Sequence, residues 1–214
     1  MKFITTFLRK NDVDLRPSNS EPIDIESART RLYPGAHVAA GTPYEHFHHG
    51  IVIDLTGIDI TIVHYWGAKK SEARVQATTL PIFAAGGIKK LGTRSRQLYI
   101  VNYEDDTPEK QRQTCELAKE LLKTPDVFKY NIFTQNCEGF AYFCRMGQWK
   151  SEQATALLNC LKNKPKQLFK TTKHEKKSNV NNYACLFKII PNDVLSPTDR
   201  DELIKLCEQY SLSV

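Results

Sequence analysis

Residues 130–147 place a cysteine where a loop is predicted to become a helix. Asn136 is a favoured N-cap residue, and the acidic Glu138 suits the positive end of the helix dipole. Gly147 is a typical stop signal, so the sequence predicts a helix that begins at Cys137. The unpaired N–H groups of a first helical turn favour the thiolate, which is the form that attacks carbonyl carbons. Cys137 is therefore a candidate nucleophile, against the alternative of an inert buried cysteine.

Histidines upstream could serve this cysteine. A nucleophilic cysteine requires a base to accept its proton and a third group to orient that base. Two β-prone runs, at 48–55 and 58–66, carry the candidates His48, His49 and His64. We expect these runs to form adjacent strands that face the helix beginning at Cys137.

The length of the turn between the two strands decides which histidine shares a face with His64. Side chains alternate between the two faces of a strand, so the register of pairing sets the answer. A two-residue turn after Leu55 puts His49 on the face of His64, whereas a three-residue loop puts His48 there. Both lengths are common in hairpins, so the spacing leaves both candidates open.

Three short motifs in this order resemble the lecithin–retinol acyltransferase family. Residues 48–51 read H-x-G-I, His64 ends the next strand, and residues 136–140 read N-C-E-x-F. The resemblance runs from about residue 33, where 33–38 match the opening strand, to about residue 150. It implies an α+β fold of circularly permuted papain-like type, with a small antiparallel sheet packed on helices and histidine preceding cysteine.

The resemblance also implies an activity. It points to a thiol-dependent acyltransferase or phospholipase-like hydrolase that acts on acyl esters, with glycerophospholipids as donors and a thioester intermediate on Cys137. His48 aligns as the base, with His49 as the alternative, and His64 orients it. Neither a cofactor nor a metal is expected.

Other positions in the cysteine motif bear on the site as well. We expect Asn136 and Tyr130 to support it. One departure from the family is Gly139, because many members carry histidine there. Two other functions stay open. One is a cysteine isopeptidase of the desumoylating type, because that related permuted fold also places an H-x-G-I-like strand before an N-C motif. The other is a non-catalytic binding module on the same fold, in which Gly139 would mark a relaxed site.

The composition is typical of a soluble globular protein. The chain has 214 residues, a net charge of +6 and 41% hydrophobic residues. Six cysteines include no CxxC pair, so zinc is not indicated. Their even number would allow disulfides, but the lack of an apparent secretory signal favours a reducing cytosol. No signal peptide or apolar run of transmembrane length is apparent, so we expect a cytoplasmic protein that visits membranes peripherally.

The chain is predicted to divide into four segments. They are a flexible lead-in at 1–32, the catalytic domain at 33–161, a basic linker at 162–182, and a strand and helix at 183–214. The domain is predicted to contain strands at 36–40, 48–55, 58–66, 78–83 and 98–103, and helices that begin near 107, 137 and 151.

Seven lysines lie between Lys162 and Lys177. Such a run could contact an anionic membrane, where each cation contributes about 1 kcal/mol. Nucleic acid is not expected as a partner, because aromatic residues are not interleaved with the basic ones. The sequence carries no indication of the oligomeric state.

Overall fold

The computed structural model describes residues 8, 9, 11–67, 72–92, 96–129 and 135–163, without the side chains of 161–163. These residues fall into two compact units, one of residues 14–153 and one of residues 8, 9, 11–13 and 154–163. The first unit contains the sheet together with Cys137 and the candidate histidines. Tyr130, the predicted extension at 183–214 and the basic segment beyond residue 163 lie outside the described residues.

A six-stranded antiparallel sheet forms the centre of the larger unit. Its strands are β1 (Ser20–Ile23), β2 (His37–Gly41), β3 (His48–Asp54), β4 (Thr61–Trp66), β5 (Arg74–Thr79) and β6 (Gln97–Val101). They lie in the order β1-β6-β2-β3-β4-β5, and every pair of neighbours is antiparallel. The predicted class, an α+β fold with a small antiparallel sheet, is confirmed.

Helices lie between and after the strands. They are α1 (Ala28–Arg31), α2 (Leu80–Ala85), α3 (Pro108–Lys123), α4 (Cys137–Met146) and α5 (Glu152–Asn163), with a 3-10 turn at Ile88–Lys90. Thr107 caps α3, because its hydroxyl accepts a hydrogen bond from the backbone N–H of Lys110 at 3.2 Å. None of the helices in the described part of the chain has the length and apolar character needed to cross a bilayer.

The pairing of β3 with β4 settles the parity of the histidines. Gly50 lies opposite His64, which is the register that the three-residue loop requires, so His48 shares a face with His64. The connection itself is longer than predicted, because Asp54 pairs with Thr61 after a register shift. The bulge absorbs the extra residue near the turn and leaves the pairing beside the histidines unchanged.

Alternation along the strands gives the sheet two buried faces. The first packs on α1 and α2 and includes Val38, Ala40, Val52, Ile62 and Phe83. The second packs on α3 and α4 and includes Ile51, Val63, Tyr65, Ala118 and Phe140. Since both faces are covered, nearly every side chain of the central strands is withdrawn from water.

Two segments differ from the sequence prediction. The strand predicted at 78–83 is the end of β5 followed by α2, because Pro81 is well tolerated in a first helical turn and Gly86, at φ 79°, ends the helix. Within the predicted lead-in at 1–32, Ser20–Ile23 form a strand paired with β6. Pro22 is compatible with that strand because β1 is at the edge of the sheet.

Substitution of Gly35 tests the contact between the start of the sheet and α3. Gly35 has φ +91°, and a Cβ there would lie 2.0 Å from the backbone oxygen of Gln111. We expect Gly35→Ala to lower the free energy of unfolding by roughly 3 kcal/mol or more, through left-handed strain and a clash with backbone.

Gly92→Ala is the matched control, because Gly92 has φ +76° with nothing within 4 Å of an added Cβ. Strain alone should cost about 1–2 kcal/mol there. Urea denaturation of both variants measures the difference. Equal losses would show that the contact with Gln111 adds nothing.

Candidate active site

Cys137 is the first residue of α4, directly after the capping residue. The side-chain oxygen of Asn136 accepts a hydrogen bond from the backbone N–H of Gly139 at 2.8 Å, and Glu138 lies in the first turn. Asn136 is fully buried, so this cap is a fixed part of the interior rather than a surface contact. The cap holds the first turn of α4 and therefore the thiol.

The thiol of Cys137 contacts the segment that leads into β3. Its Sγ lies 3.7 Å from Nε2 of His46 and 3.8 Å from the backbone oxygen of Phe47. The backbone of His49 also hydrogen-bonds to the thiol. These contacts place Sγ beside the start of β3, in contact with one imidazole.

The thiol is protonated in this arrangement. The pKa of Cys137 is raised to about 12, mainly by burial, with a smaller rise from the charge of Glu138 and a partial offset from backbone hydrogen bonds. The expectation that the start of the helix favours the thiolate is therefore not met in the free protein. Desolvation of a fully buried anion outweighs the N–H groups of the first turn.

His48 and His64 form a hydrogen-bonded pair through Nε2 and Nδ1. Both rings also contact Phe83, with centroid distances of 5.0 and 5.8 Å. Burial lowers the pKa of His64 to about 4, and burial followed by the charge of His64 lowers the pKa of His48 well below its usual value. Both imidazoles are therefore neutral near pH 7.

This pair does not face the helix that begins at Cys137. Phe83 is a residue of α2 and packs on the sheet face that α1 and α2 cover, whereas α4 packs on the opposite face. Among the described residues, neither ring of the pair contacts the Cys137 thiol. The resemblance to the family favoured His48 as the partner of His64, with His49 as the alternative, but no local pattern predicts which helix covers which face of the sheet.

His49 lies on the sheet face that α4 covers, and both of its ring nitrogens form hydrogen bonds. Its Nε2 lies 2.8 Å from Nε2 of Gln153, and its Nδ1 lies 2.9 Å from Nε2 of His37. The side-chain oxygen of Gln153 accepts the N–H of Phe47 at 2.7 Å, so the amide nitrogen must donate to His49. The lone pair of His49 is thus occupied, which argues against His49 as the base for Cys137.

A buried carboxylate lies at the centre of the polar groups under α4. Glu138 accepts hydrogen bonds from the Ser151 hydroxyl and from the backbone N–H of Gln153, the latter at 3.1 Å. Ser151 in turn accepts from the side-chain nitrogen of Asn136 at 3.0 Å. The sequence pattern predicted a helix that begins near residue 151 but assigned neither Ser151 nor Gln153 to the site, because their partners are distant in the chain.

The hydrogen bonds that link Gln153, His49 and His37 continue away from the thiol toward a buried arginine. Nδ1 of His37 lies 2.8 Å from the Tyr103 hydroxyl, and the Arg145 guanidinium lies 4.8 Å from the centroid of the Tyr103 ring. Arg145 forms an ion pair with Asp106 at 2.7 Å. Burial, followed by the charge of Arg145, lowers the pKa of His37 to about 3.

A cavity of about 300 Å³ opens beside these groups. Its lining includes His37, His49, Tyr103, Glu138 and Tyr142. Cys137 is not among the lining residues, so the cavity reaches the polar groups under α4 but not the thiol. Within the part of the chain that the structure describes, no group of three or more potential ligands could hold a metal ion.

Gly139 packs closely against an aromatic side chain. A Cβ at this position would lie 3.0 Å from Cε3 of Trp149. The Trp149 ring also stacks on Phe143, with centroids 5.3 Å apart, and contacts Phe128 edge-on. The volume next to position 139 is therefore filled by Trp149, which explains why a large side chain is not accommodated there.

The buried histidines should make stability depend on pH. The pKa values of His37 and His64, about 3 and about 4, lie below the ordinary 6.5, so the unfolded chain binds more protons between these values. The contribution of these histidines to the free energy of unfolding should be fully present above about pH 6.5. It should fall as the pH decreases, by up to about 1.4 kcal/mol per pH unit for each histidine. The raised pKa of Glu138 acts in the opposite direction.

Urea denaturation at a series of pH values measures this dependence. His64→Gln should give a shallower decrease, because one depressed titration is removed. An unfolding free energy that stays constant between about pH 7 and about pH 5 would contradict the assignment of neutral buried histidines.

Replacement of Gly139 by histidine should destabilise this protein. We expect Gly139→His to lower the free energy of unfolding by about 1–3 kcal/mol, because the new ring and Trp149 compete for one volume. The same substitution in a Trp149→Ala background should cost less, with a coupling of roughly 0.5 kcal/mol or more. Additive losses in thermal or urea unfolding would show that Trp149 is not the obstacle.

Comparison with known proteins agrees with the order of the motifs. The family model described as lecithin retinol acyltransferase matches residues 30–150, which is more than half of the 214 residues. No curated protein and no solved structure matches the chain. The matched range spans the strands from β2 to β6 and the helices up to α4, including His48, His64 and Cys137. The chain belongs to the lecithin retinol acyltransferase family.

Proposed function

We propose that this protein catalyses thiol-dependent acyl transfer or hydrolysis of acyl esters, with Cys137 as the nucleophile. The observation that carries the proposal is the Cys137 thiol at the start of α4 with an imidazole nitrogen 3.7 Å away. Membership of the family supports this class of chemistry. The order of histidine before cysteine is the one expected for a circularly permuted papain-like enzyme.

The first half-reaction transfers the acyl group to the cysteine. An imidazole takes the Sγ proton as sulfur bonds to the ester carbonyl carbon, and the carbonyl electron pair moves to oxygen. The N–H groups of the first turn of α4 are candidate donors to this oxyanion. Collapse of the intermediate breaks the ester C–O bond, and the leaving alcohol takes the proton from the imidazolium.

The second half-reaction releases the acyl group from the thioester. The oxygen of water, or the hydroxyl or amine of an acceptor, bonds to the thioester carbonyl carbon as the imidazole takes its proton. The C–S bond then breaks, and the imidazolium returns the proton to sulfur, which regenerates the thiol of Cys137. Water as acceptor gives a phospholipase-like hydrolase, and an alcohol or amine gives an acyltransferase. The resemblance to the family favours a glycerophospholipid as the donor.

The family pattern and the contacts of the thiol point to different histidines as the base. The family pattern assigns His48, oriented by His64, and the hydrogen bond between these rings is consistent with an orienting role. The imidazole that touches the thiol belongs to His46. Asn136 supports the nucleophile by capping its helix, and Tyr130 stays a sequence prediction.

The proposed setting is the membrane surface in the cytosol. The four cysteines described as free thiols, Cys115, Cys137, Cys144 and Cys160, are consistent with a reducing compartment. The lysines between 162 and 177 provide charge for contact with anionic lipid. In this proposal the protein binds the membrane surface peripherally and reversibly to reach its lipid substrate.

Intact mass measurement after incubation with phosphatidylcholine vesicles tests the function. We expect an acyl adduct that Cys137→Ala abolishes, because the Cys137 thiol has an imidazole nitrogen beside it to accept its proton. Cys144→Ala is the matched control, since Cys144 is a buried cysteine of the same helix and should leave the adduct unchanged. Adding anionic lipid to the vesicles should speed acylation if the basic segment contacts the membrane.

Two results would contradict the proposal. Labelling of Cys137 by a ubiquitin-like suicide probe, without acylation by lipid, would assign an isopeptidase activity. The absence of any adduct with either reagent would assign a non-catalytic binding module.

A further inference from the structure

One histidine outside the family pattern touches the candidate nucleophile. His46 lies in the loop of residues 42–47 between β2 and β3, and its Nε2 is the imidazole nitrogen 3.7 Å from the Cys137 Sγ. Its side chain is partly exposed, unlike those of His48, His49 and His64, which are buried. His46 precedes the strand predicted at 48–55, and the sequence pattern assigned it no role.

Hydrogen bonds on both sides of His46 hold the loop that carries it. The N–H of Glu45 donates to the backbone oxygen of Thr42 at 3.1 Å, and Tyr44 has φ 62°. The N–H of Phe47 donates to the side chain of Gln153 at 2.7 Å. The position of His46 is therefore set by contacts on both sides of it.

Phe47 adds a packing constraint to these hydrogen bonds. A Cβ on Gly41 would lie 2.4 Å from the Phe47 ring, so only glycine leaves room for that ring. The same ring contacts Tyr99 edge-on, with centroids 5.6 Å apart. Because Phe47 also places its carbonyl against the thiol, this anchor fixes His46 and the thiol relative to the same residue.

A base must hold a positive charge after it accepts a proton. A fully buried imidazole is poorly suited to this step, because desolvation disfavours the cation. The lone pair of His49 is occupied by Gln153, and His48 lies with His64 on the other face of the sheet. His46 combines contact with the thiol and access to solvent.

We infer that His46 is a further catalytic residue, which accepts the Cys137 proton as sulfur attacks and returns it to the leaving group. This inference rests on the proposed acyl transfer and replaces His48 with His46 in the proton-transfer step. In the part of the chain that the structure describes, the charged and titratable groups that act on the pair include His48 and His49 of β3, which interact electrostatically with His46, and Glu138 of α4, which acts on the thiol.

Alkylation of Cys137 by iodoacetamide across a range of pH tests the inference on the full chain. The rate at Cys137 is read from the mass of the peptide that carries it. In His46→Gln we expect the rate near neutral pH to fall at least about tenfold and the profile to shift to higher pH, because general base assistance is lost. Glu45→Gln, in the same loop, is the matched control and should keep a profile close to that of the unmodified protein. His48→Gln tests the base that the family pattern assigns.

Acyl transfer and chemical rescue provide a second measurement. His46→Ala should lower kcat by about 100-fold or more with little change in KM, and added imidazole should restore part of the rate. A merely structural role for His46 predicts no rescue. Circular dichroism of each variant verifies that it folds.

The outcomes separate this inference from the proposed function. An unchanged alkylation profile in His46→Gln, or a loss of assistance in His48→Gln alone, would overturn the role of His46 while leaving acyl transfer intact. If no lipid acylates the unmodified protein, the proposed function fails, and the alkylation profiles still decide whether His46 serves the thiol.

Discussion

The Gln153 side chain is the contact on which the arrangement of the site depends. Its oxygen accepts the N–H of Phe47, and its nitrogen donates to His49. Its backbone N–H donates to the buried carboxylate of Glu138. All these groups are buried and cannot turn to water, so each would be left unsatisfied if the loop, β3 or α4 moved. Cys137, adjacent to Glu138, takes its position from this set of bonds.

Burial dominates the electrostatics of the site. A charge at a helix terminus is typically stabilised by about 0.3–1 kcal/mol. The rise in the pKa of Cys137 from 9.0 to about 12 corresponds to roughly 4 kcal/mol in the opposite direction. The buried histidines are neutral for the same reason. A thiol in these surroundings needs a neighbouring base at the moment of attack, which gives weight to the contact with His46.

The motif around Cys137 is held in place by buried hydrogen bonds and by aromatic packing. The motif at 136–140 supplies both the cap of α4 and the buried carboxylate. Position 139, which many members fill with histidine, is a glycine packed on Trp149. Trp149 belongs to an aromatic cluster with Phe128 and Phe143. A larger side chain at position 139 would therefore have to displace a ring of this cluster.

Local patterns in the sequence determined the features that depend on residues close together in the chain. These are the helix that begins at Cys137, which follows from its cap, and the α+β class, which follows from the pattern of strands and helices. Strand alternation left both His48 and His49 as candidates for the face of His64, and the register of β3 on β4 selected His48. Tertiary structure alone decided which helix covers each face, which imidazole touches the thiol and how far burial raises its pKa. These depend on pairs such as Phe47 and Gln153, 106 residues apart, whose meeting no local pattern encodes.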